Sequence, residues 1–330
     1  MEYMQGRPIG ECFDDLTYLQ KIRVGTDLAL VMSSLFKIKA SKCGSLSRIQ
    51  RRSSIGCLKK PPHALSYPVD AAGTSPHLGG LSDPAIAHHG FHIGPVNDVT
   101  FLSYPNQIPP QNCGPFDSER QFLEAFAFLG YPPTRADDKL DRWAFEKALE
   151  VYDVVAPLYR QSEVSPFSSE TFHFAHGDLS ENNILIDPDT GAITGVVDWE
   201  MAGFRPAWLS AVAAGWFNDD SERFVMSGNQ SERGNHSDET PTDALVRAHF
   251  RLKLAELDEE LFSHHLQGIE LRAFFYACCK QYPADTEVWL ERYNDHEWST
   301  GRRGPFPFDY MAWLNEVLDL WDLRQRCISD

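Results

Sequence analysis

Apolar residues recur at three- and four-residue intervals from Leu16 through Leu19, Ile22, Val24, Leu28 and Val31 to Leu35, and predict a helix over residues 14–36 with those side chains on one face. Beyond Phe36 the period fades. Residues 47–90 are rich in Ser, Pro, Gly and His and follow neither a helical nor a strand period. They read as a surface insertion or disordered loop, because they hold too little apolar surface to offset the entropy of ordering. Order is expected to resume at Phe91-His-Ile-Gly-Pro95. A helix over 118–129 follows, entered through Ser118 and Gln121 in capping-box spacing and closed by Gly130, with Pro132 beyond. Another, over 138–158, carries the stripe Trp143, Ala144, Ala148, Val151 and Val155. Thr240, Pro241 and Asp243 mark a further helix start. Helices are also expected over 257–280, 284–296 and 308–324, with a loop at 301–308.

One stretch breaks this helical rhythm. Residues 183–187 (Asn-Ile-Leu-Ile-Asp) and 192–198 (Ala-Ile-Thr-Gly-Val-Val-Asp) are short apolar runs separated by the turn chemistry of Pro188-Asp189-Thr190-Gly191. The pattern predicts a hairpin, and the fold class expected for the whole chain is mainly α with a small β-hairpin. Such a hairpin places Asn183 and Asp198 at one end, beside the loop His176–Asn183 that holds Asp178. Three oxygen-bearing side chains then converge where a hard cation such as Mg²⁺ binds. A carboxylate not tied to metal, Asp178, can accept a hydroxyl proton. An amide oxygen (Asn183) and a second carboxylate (Asp198) can hold Mg²⁺ on nucleotide phosphates. Asp187 and Asp189 belong to the turn, and Glu200 reads as a solvated loop residue.

Charge divides the chain unevenly. Residues 1–110 carry 11 basic and 8 acidic side chains, whereas 111–330 carry 19 and 39. Within 40–69 there are six basic residues and no acidic one, which fits a solvated loop better than a nucleic-acid patch. The overall charge of −17 argues against sequence-independent nucleic-acid binding. The opening residues, with Glu2, Glu11, Asp14 and Asp15 and no apolar run, do not read as a secretory signal. No run of 18 apolar residues occurs, so no membrane span is expected and the expected compartment is the cytoplasm. Seven cysteines at irregular spacing, among them the adjacent Cys278 and Cys279, fit reduced thiols rather than a disulfide framework. The pairs His88-His89 and His264-His265 lack a second liganding pair and are given no metal role.

The segment His176-Gly-Asp-Leu-x3-Asn183-Ile-Leu, followed by a strand ending in Asp198-Trp199-Glu200, resembles the aminoglycoside phosphotransferase family of the protein-kinase-like superfamily. Eight positions and the twenty-residue spacing from Asp178 to Asp198 carry the resemblance. It implies that Asp178 is the catalytic base, that His176 braces its loop, and that Asn183 and Asp198 ligate Mg²⁺ bound with ATP. It also implies that residues 1–10 are a remnant of the interlobe hinge, where the backbone of Glu2, Tyr3 and Met4 meets adenine. Residues 11–330 would then be the C-terminal helical lobe of a kinase-like α+β fold, interrupted by the 47–90 insertion.

On that alignment the N-terminal lobe is missing, since no Gly-rich loop between strands occurs and Lys59 and Lys60 lie on the wrong side of the hinge. The expected activity is transfer of a phosphoryl group from ATP to a hydroxyl of a small molecule. Loss of nucleotide positioning implies that this activity is impaired, with a non-catalytic binding or regulatory module as the alternative. The acidity of 111–330 suits a cationic acceptor such as an amino sugar or amino alcohol. The pattern departs at Ala202-Gly-Phe-Arg-Pro-Ala-Trp208-Leu209, where many members carry Asp-Leu-Ala, so the catalytic loop is braced differently here.

Overall fold

The computed structural model describes residues 4–48, 91–98, 113–129, 171–217 and 241–268, together with Glu146, Arg272 and Phe275. The expected helices over 284–296 and 308–324, the loop 301–308, the cap Thr240, both Cys278 and Cys279, and His88-His89 lie outside these residues. So does the expected helix 138–158, apart from Glu146, which is helical.

The first long helix, α1 (Tyr18–Phe36), begins four residues later than its apolar spacing predicts. The reason is local. The Gln20 amide donates to Thr17 Oγ1 while Gln20 Oε1 accepts from the Thr17 amide at 2.8 Å, a reciprocal cap that sets the start at Tyr18. The buried face is also rotated from the expected one. Lys21, Val24, Gly25, Leu28, Ala29, Met32, Ser33 and Phe36 turn inward, whereas Leu19 is 72% exposed. Small residues decide this, because Gly25 and Ala29 let α1 sit close against its neighbour. A Cβ on Gly25 would stand 3.3 Å from the Phe217 ring and 3.5 Å from Phe250 Cβ.

Later in the chain come α2 (Glu119–Leu129), the short α3 (Ala207–Ser210), α4 (Pro241–Leu257) and α5 (Glu259–Gln267). The Ser118 hydroxyl accepts the Gln121 amide at 3.2 Å, as its spacing predicts, but the Gln121 side chain caps Asp117 instead. The expected helix from 257 is broken at Asp258, whose carboxylate caps α5 by accepting the Leu261 amide at 3.0 Å. The helices α1 and α4 share one core with the hairpin, in which Val24, Leu28, Ile184, Ile186, Phe217, Phe250 and Leu254 are buried. Full burial of each large apolar side chain contributes about 1.5–3 kcal/mol.

The larger departure is in the strands. Where the sequence suggests one hairpin in a mainly α chain, the described residues hold eight strands in two antiparallel sheets. The first sheet is β1 (Arg7–Pro8), β6 (Ile184–Ile186) and β7 (Ile193–Val196), in that order. The expected hairpin is thus present, with an extra strand from the chain start on its outer side. The second sheet runs β2 (Lys39–Ala40), β5 (Phe172–Ala175), β8 (Gly203–Arg205), β3 (Gly44–Arg48) and β4 (Phe91–Gly94). Arg48 pairs with Phe91 across β3 and β4, so residues 49–90 connect the two strands of a hairpin. Ser47 and Arg48, expected within the insertion, are thus paired in β3, and the rest of the expected insertion lies outside the described residues.

The hairpin turn is anchored on α1. Gly191 (φ 69°) closes the turn through its amide to the Asp187 carbonyl at 2.8 Å. A Cβ there would stand 2.5 Å from the Gln20 carbonyl, so only glycine permits the contact. The Gln20 amide group donates to the Pro188 and Asp189 carbonyls at 2.9 and 2.8 Å. Among the described residues no helix is long and apolar enough to cross a membrane.

Candidate active site

Strand β5 ends at Ala175, and the next three residues turn sharply. Gly177 adopts φ 87°, and a Cβ on it would stand 2.2 Å from the carbonyl oxygen of Met201. Glycine is thus required on two grounds, the backbone angle and the close approach. The turn swings Asp178 out to solvent while His176 stays buried, 2% exposed.

His176 is held in one tautomer. Its Nε2 faces the Val197 carbonyl at 2.8 Å and so carries the proton, and its Nδ1 accepts the Asp178 amide at 3.3 Å. Burial pushes this imidazole below the ordinary histidine range, against the opposing pull of the Val197 carbonyl and the Asp178 and Asp198 carboxylates. A neutral ring therefore lies beneath two carboxylates and links them, touching the Asp178 backbone on one side and the strand end before Asp198 on the other. Trp199 packs against it, with ring centroids 4.6 Å apart, and donates its Nε1 proton to the Val196 carbonyl at 2.7 Å.

Asn183 binds the Asp178 loop from inside. Its Nδ2 donates to the Asp178 carbonyl at 2.8 Å and to Asp178 Oδ2 at 3.0 Å. Two acceptors on one side fix the amide orientation, so Asn183 Oδ1 points away from Asp178. Two more turns tighten the loop, Ser180 N to the Asp178 carbonyl at 2.9 Å and Asn183 N to the Ser180 carbonyl at 3.1 Å. The Val197 amide then donates to the Asn183 carbonyl at 2.9 Å, which fastens the loop's end to the strand that leads to Asp198.

Asp198 alone among the described non-glycine residues has a positive φ (66°, ψ 55°). A left-handed conformation costs most residues roughly 1–2 kcal/mol, and less for an aspartate, whose short polar side chain tolerates it better. It precedes the 3₁₀ turn Trp199–Met201 and its carboxylate does not cap that turn. The side chain is exposed. Strain at a carboxylate with no structural use is the pattern of a functional position.

The structure thus brings together Asp178, Asn183, Asp198 and His176. Of the residues expected to meet adenine, Met4 is described and lies over the hairpin, where a Cβ on Gly195 would stand 2.1 Å from its Cε. Thr194 Oγ1 donates to the Gln5 carbonyl at 2.7 Å in the same strip. Glu2 and Tyr3 lie outside the described residues. Sequence reasoning missed two residues that border the site, Asn97 and Arg205. The Asn97 side-chain amide donates to the Glu200 carbonyl, and Arg205 Nη2 donates to the Met201 carbonyl at 3.1 Å. The irregular Ala202–Leu209 stretch was the available signal for Arg205; Asn97 sat in no recognisable motif.

Among the described residues no group of three or more His, Cys, Asp or Glu gathers as a metal cage. The donor set is one amide oxygen and one exposed carboxylate, with a neutral imidazole behind. That set suits a small hard cation that keeps waters and takes other ligands from phosphate, and does not suit a soft metal.

A family model described as the phosphotransferase enzyme family, APH, matches residues 104–245, a span that contains all four residues. No curated protein matches the chain.

Proposed function

We propose that this site transfers the γ-phosphoryl group of ATP to a hydroxyl of a small molecule. The observation that carries the reading is the joint arrangement of Asp178, its Oδ2 held by Asn183, and Asp198, held in a strained conformation without structural use. The match to a phosphotransferase family over the same residues supports it.

In this reading each side chain has one task. The exposed Asp178 carboxylate takes the acceptor's proton as the hydroxyl oxygen bonds to the γ-phosphorus and ADP leaves. Asn183 fixes the orientation of that carboxylate through Oδ2. Neutral His176 keeps the loop in place and adds no positive charge that would draw the proton away. Asn183 Oδ1 and the Asp198 carboxylate are the groups that would hold Mg²⁺, which when bound neutralises charge on the phosphates. Met4 and its neighbours at the chain start would border the adenine. The exposed acidic side chains, Asp178, Asp198 and Glu200, favour an acceptor that carries an amine.

The test is nucleotide-dependent stabilisation followed by transfer. Mg²⁺–ATP is expected to raise the melting temperature of the chain, and Asp198→Asn to remove that shift. With a panel of amino sugars and amino alcohols, Asp178→Asn is expected to reduce phosphoryl transfer by about 10²–10⁴-fold while nucleotide stabilisation persists. Absence of any Mg²⁺–ATP shift in the parent chain defeats the reading.

A further inference from the structure

Arg205 is 3% exposed at the end of β8. Among the described residues no carboxylate pairs with it, and burying a lone cation costs several kcal/mol unless hydrogen bonds compensate. Its guanidinium gives those bonds to backbone carbonyls. Nη1 donates to Phe204 at 3.2 Å, and Nη2 donates to Met201 at 3.1 Å and to Asn97 at 3.4 Å. The group lies over Gly203, where a Cβ would stand 2.7 Å from Nη1.

Asn97 completes the circuit. Its amide N–H donates to Ser45 Oγ at 2.8 Å, and its side-chain amide donates to the Glu200 carbonyl. Ser45 pairs with Gly203 across β3 and β8. The two carbonyls gripped in this way, Glu200 and Met201, belong to the 3₁₀ turn that starts immediately after Asp198. The Met201 carbonyl is also the atom against which Gly177 packs. One oxygen therefore meets the Arg205 guanidinium on one side and the Asp178 loop on the other.

We propose that Arg205 and Asn97 are positioning residues, a clamp that holds the Asp198 turn in its strained conformation and in register with the Asp178 loop. A left-handed Asp198 needs neighbours that over-determine it, and its own side chain contributes no cap. The clamp supplies that constraint from outside the site, through β3 and β8 of the second sheet. It gives a use to a buried cation that is paired with backbone carbonyls and, among the described residues, with no carboxylate. Its consequence for cation binding rests on the phosphotransferase reading; its geometry does not.

The experiment has two arms on the full chain. The first is hydrogen exchange without nucleotide in Asn97→Ala, Arg205→Met and the conservative Arg205→Lys. Amides of residues 198–203 are expected to exchange at least about tenfold faster in the first two, a loss of roughly 1.4 kcal/mol of local protection. The β6–β7 hairpin should stay protected, and Arg205→Lys should recover part of the effect. Unchanged exchange in 198–203, or loss of protection spread evenly over both sheets, overturns the clamp.

The second arm titrates Mg²⁺ at fixed ATP. Asn97→Ala and Arg205→Met are expected to raise the half-saturating Mg²⁺ concentration by about 10–100-fold, as loss of an outer support does, with binding of metal-free ATP unchanged. Faster exchange with an unaltered Mg²⁺ titration overturns the positioning role. A parent chain that shows no Mg²⁺–ATP response defeats the phosphotransferase reading and with it the role in cation binding, while the exchange arm still decides whether the clamp exists.

Discussion

Two histidines stand at opposite ends of strand β5, three residues apart, and their surroundings differ in an instructive way. His173 donates through Nδ1 to the Phe36 carbonyl at 2.7 Å and stacks on the Phe36 ring at 3.7 Å. His176 donates through Nε2 to Val197 and leans on Trp199. Both are 2% exposed, and burial pushes both below the ordinary range. Carboxylates face both rings. At His173, Lys39 adds to the downward push while Asp258 opposes it, and Glu260 Oε1 lies 3.6 Å from Nε2. At His176, Asp178 and Asp198 oppose it. A buried, perturbed imidazole is thus no mark of chemistry by itself. What separates the two ends is how their carboxylates are engaged. Asp258 caps α5 and Glu260 pairs with Lys39 at 2.8 Å, whereas Asp178 and Asp198 are exposed, the latter in left-handed backbone.

The largest effect that would break this comparison is expected in acid. The pKa of His173 is lowered to about 4 from an ordinary 6.5. Between these values the unfolded chain binds a proton that the folded chain refuses, so stability is complete above pH 6.5 and is lost as the pH falls toward 4. That lowering amounts to on the order of 3 kcal/mol. His264, also pushed well down by burial and by its neighbours His173, Arg272 and Lys39, loses stability in the same direction. Urea unfolding at a series of pH values should therefore steepen through pH 6.5–4, and His173→Gln should flatten the profile more than His176→Gln. An equal flattening by both would mean that the two ends of β5 are electrostatically alike.

The two ends were also unequally legible in the sequence. Asp178, Asn183 and Asp198 could be found because a hairpin fixes which residues share an end, and the turn at Pro188–Gly191 fixes the hairpin. Local chemistry was sufficient. The five-stranded sheet was not foreseeable in this way. Its strands are two to five residues long, as in Gly203-Phe204-Arg205 and Phe172-His-Phe-Ala175, and too short to display an alternating period. They exist because partners distant in the chain pair with them, such as Ser45 with Gly203 and His173 with Arg205. Arg205 and Asn97 were missed for the same reason, since their importance lies in carbonyls contributed by other segments. The rotated face of α1 is a related case. Leu19 fits the apolar spacing, yet the close approach at Gly25 and the lysine–aspartate pair of Lys21 and Asp243 at 3.0 Å turn the helix the other way.

A smaller effect tests the turn that separates exposed Asp178 from buried His176. Gly177→Ala would have to accept φ 87° and a Cβ 2.2 Å from the Met201 carbonyl. Backbone strain of this kind costs about 1–3 kcal/mol, and the Met201 turn must move to make room. Denaturant unfolding should report that loss, and Mg²⁺–ATP stabilisation should fall with it because Met201 sits on the Asp198 turn. The matched change in α1, Gly25→Ala, meets the edge of the Phe217 ring at 3.3 Å and Phe250 Cβ at 3.5 Å in ordinary helical backbone. It is expected to leave the nucleotide response intact. If Gly25→Ala suppresses that response as strongly as Gly177→Ala does, the coupling between the Asp178 and Asp198 loops is not special.

The smallest effect is the most discriminating, because its sign is opposite to that of most substitutions. Asp198 occupies a left-handed conformation that glycine adopts without steric penalty. Its carboxylate accepts no capping hydrogen bond in the turn that follows. Asp198→Gly therefore removes strain worth at most about 1 kcal/mol. Part of the gain is offset because glycine also enlarges the freedom of the unfolded chain. The net expectation is a chain as stable as the parent or slightly more so, measured by denaturant midpoint, that no longer responds to Mg²⁺–ATP. That combination arises only if the residue is retained against its own backbone preference for the sake of a ligand. A marked destabilisation would place an unrecognised structural contact on Asp198 and would remove the strain argument, leaving its proximity to Asp178 and His176 as the sole reason to assign it to the site.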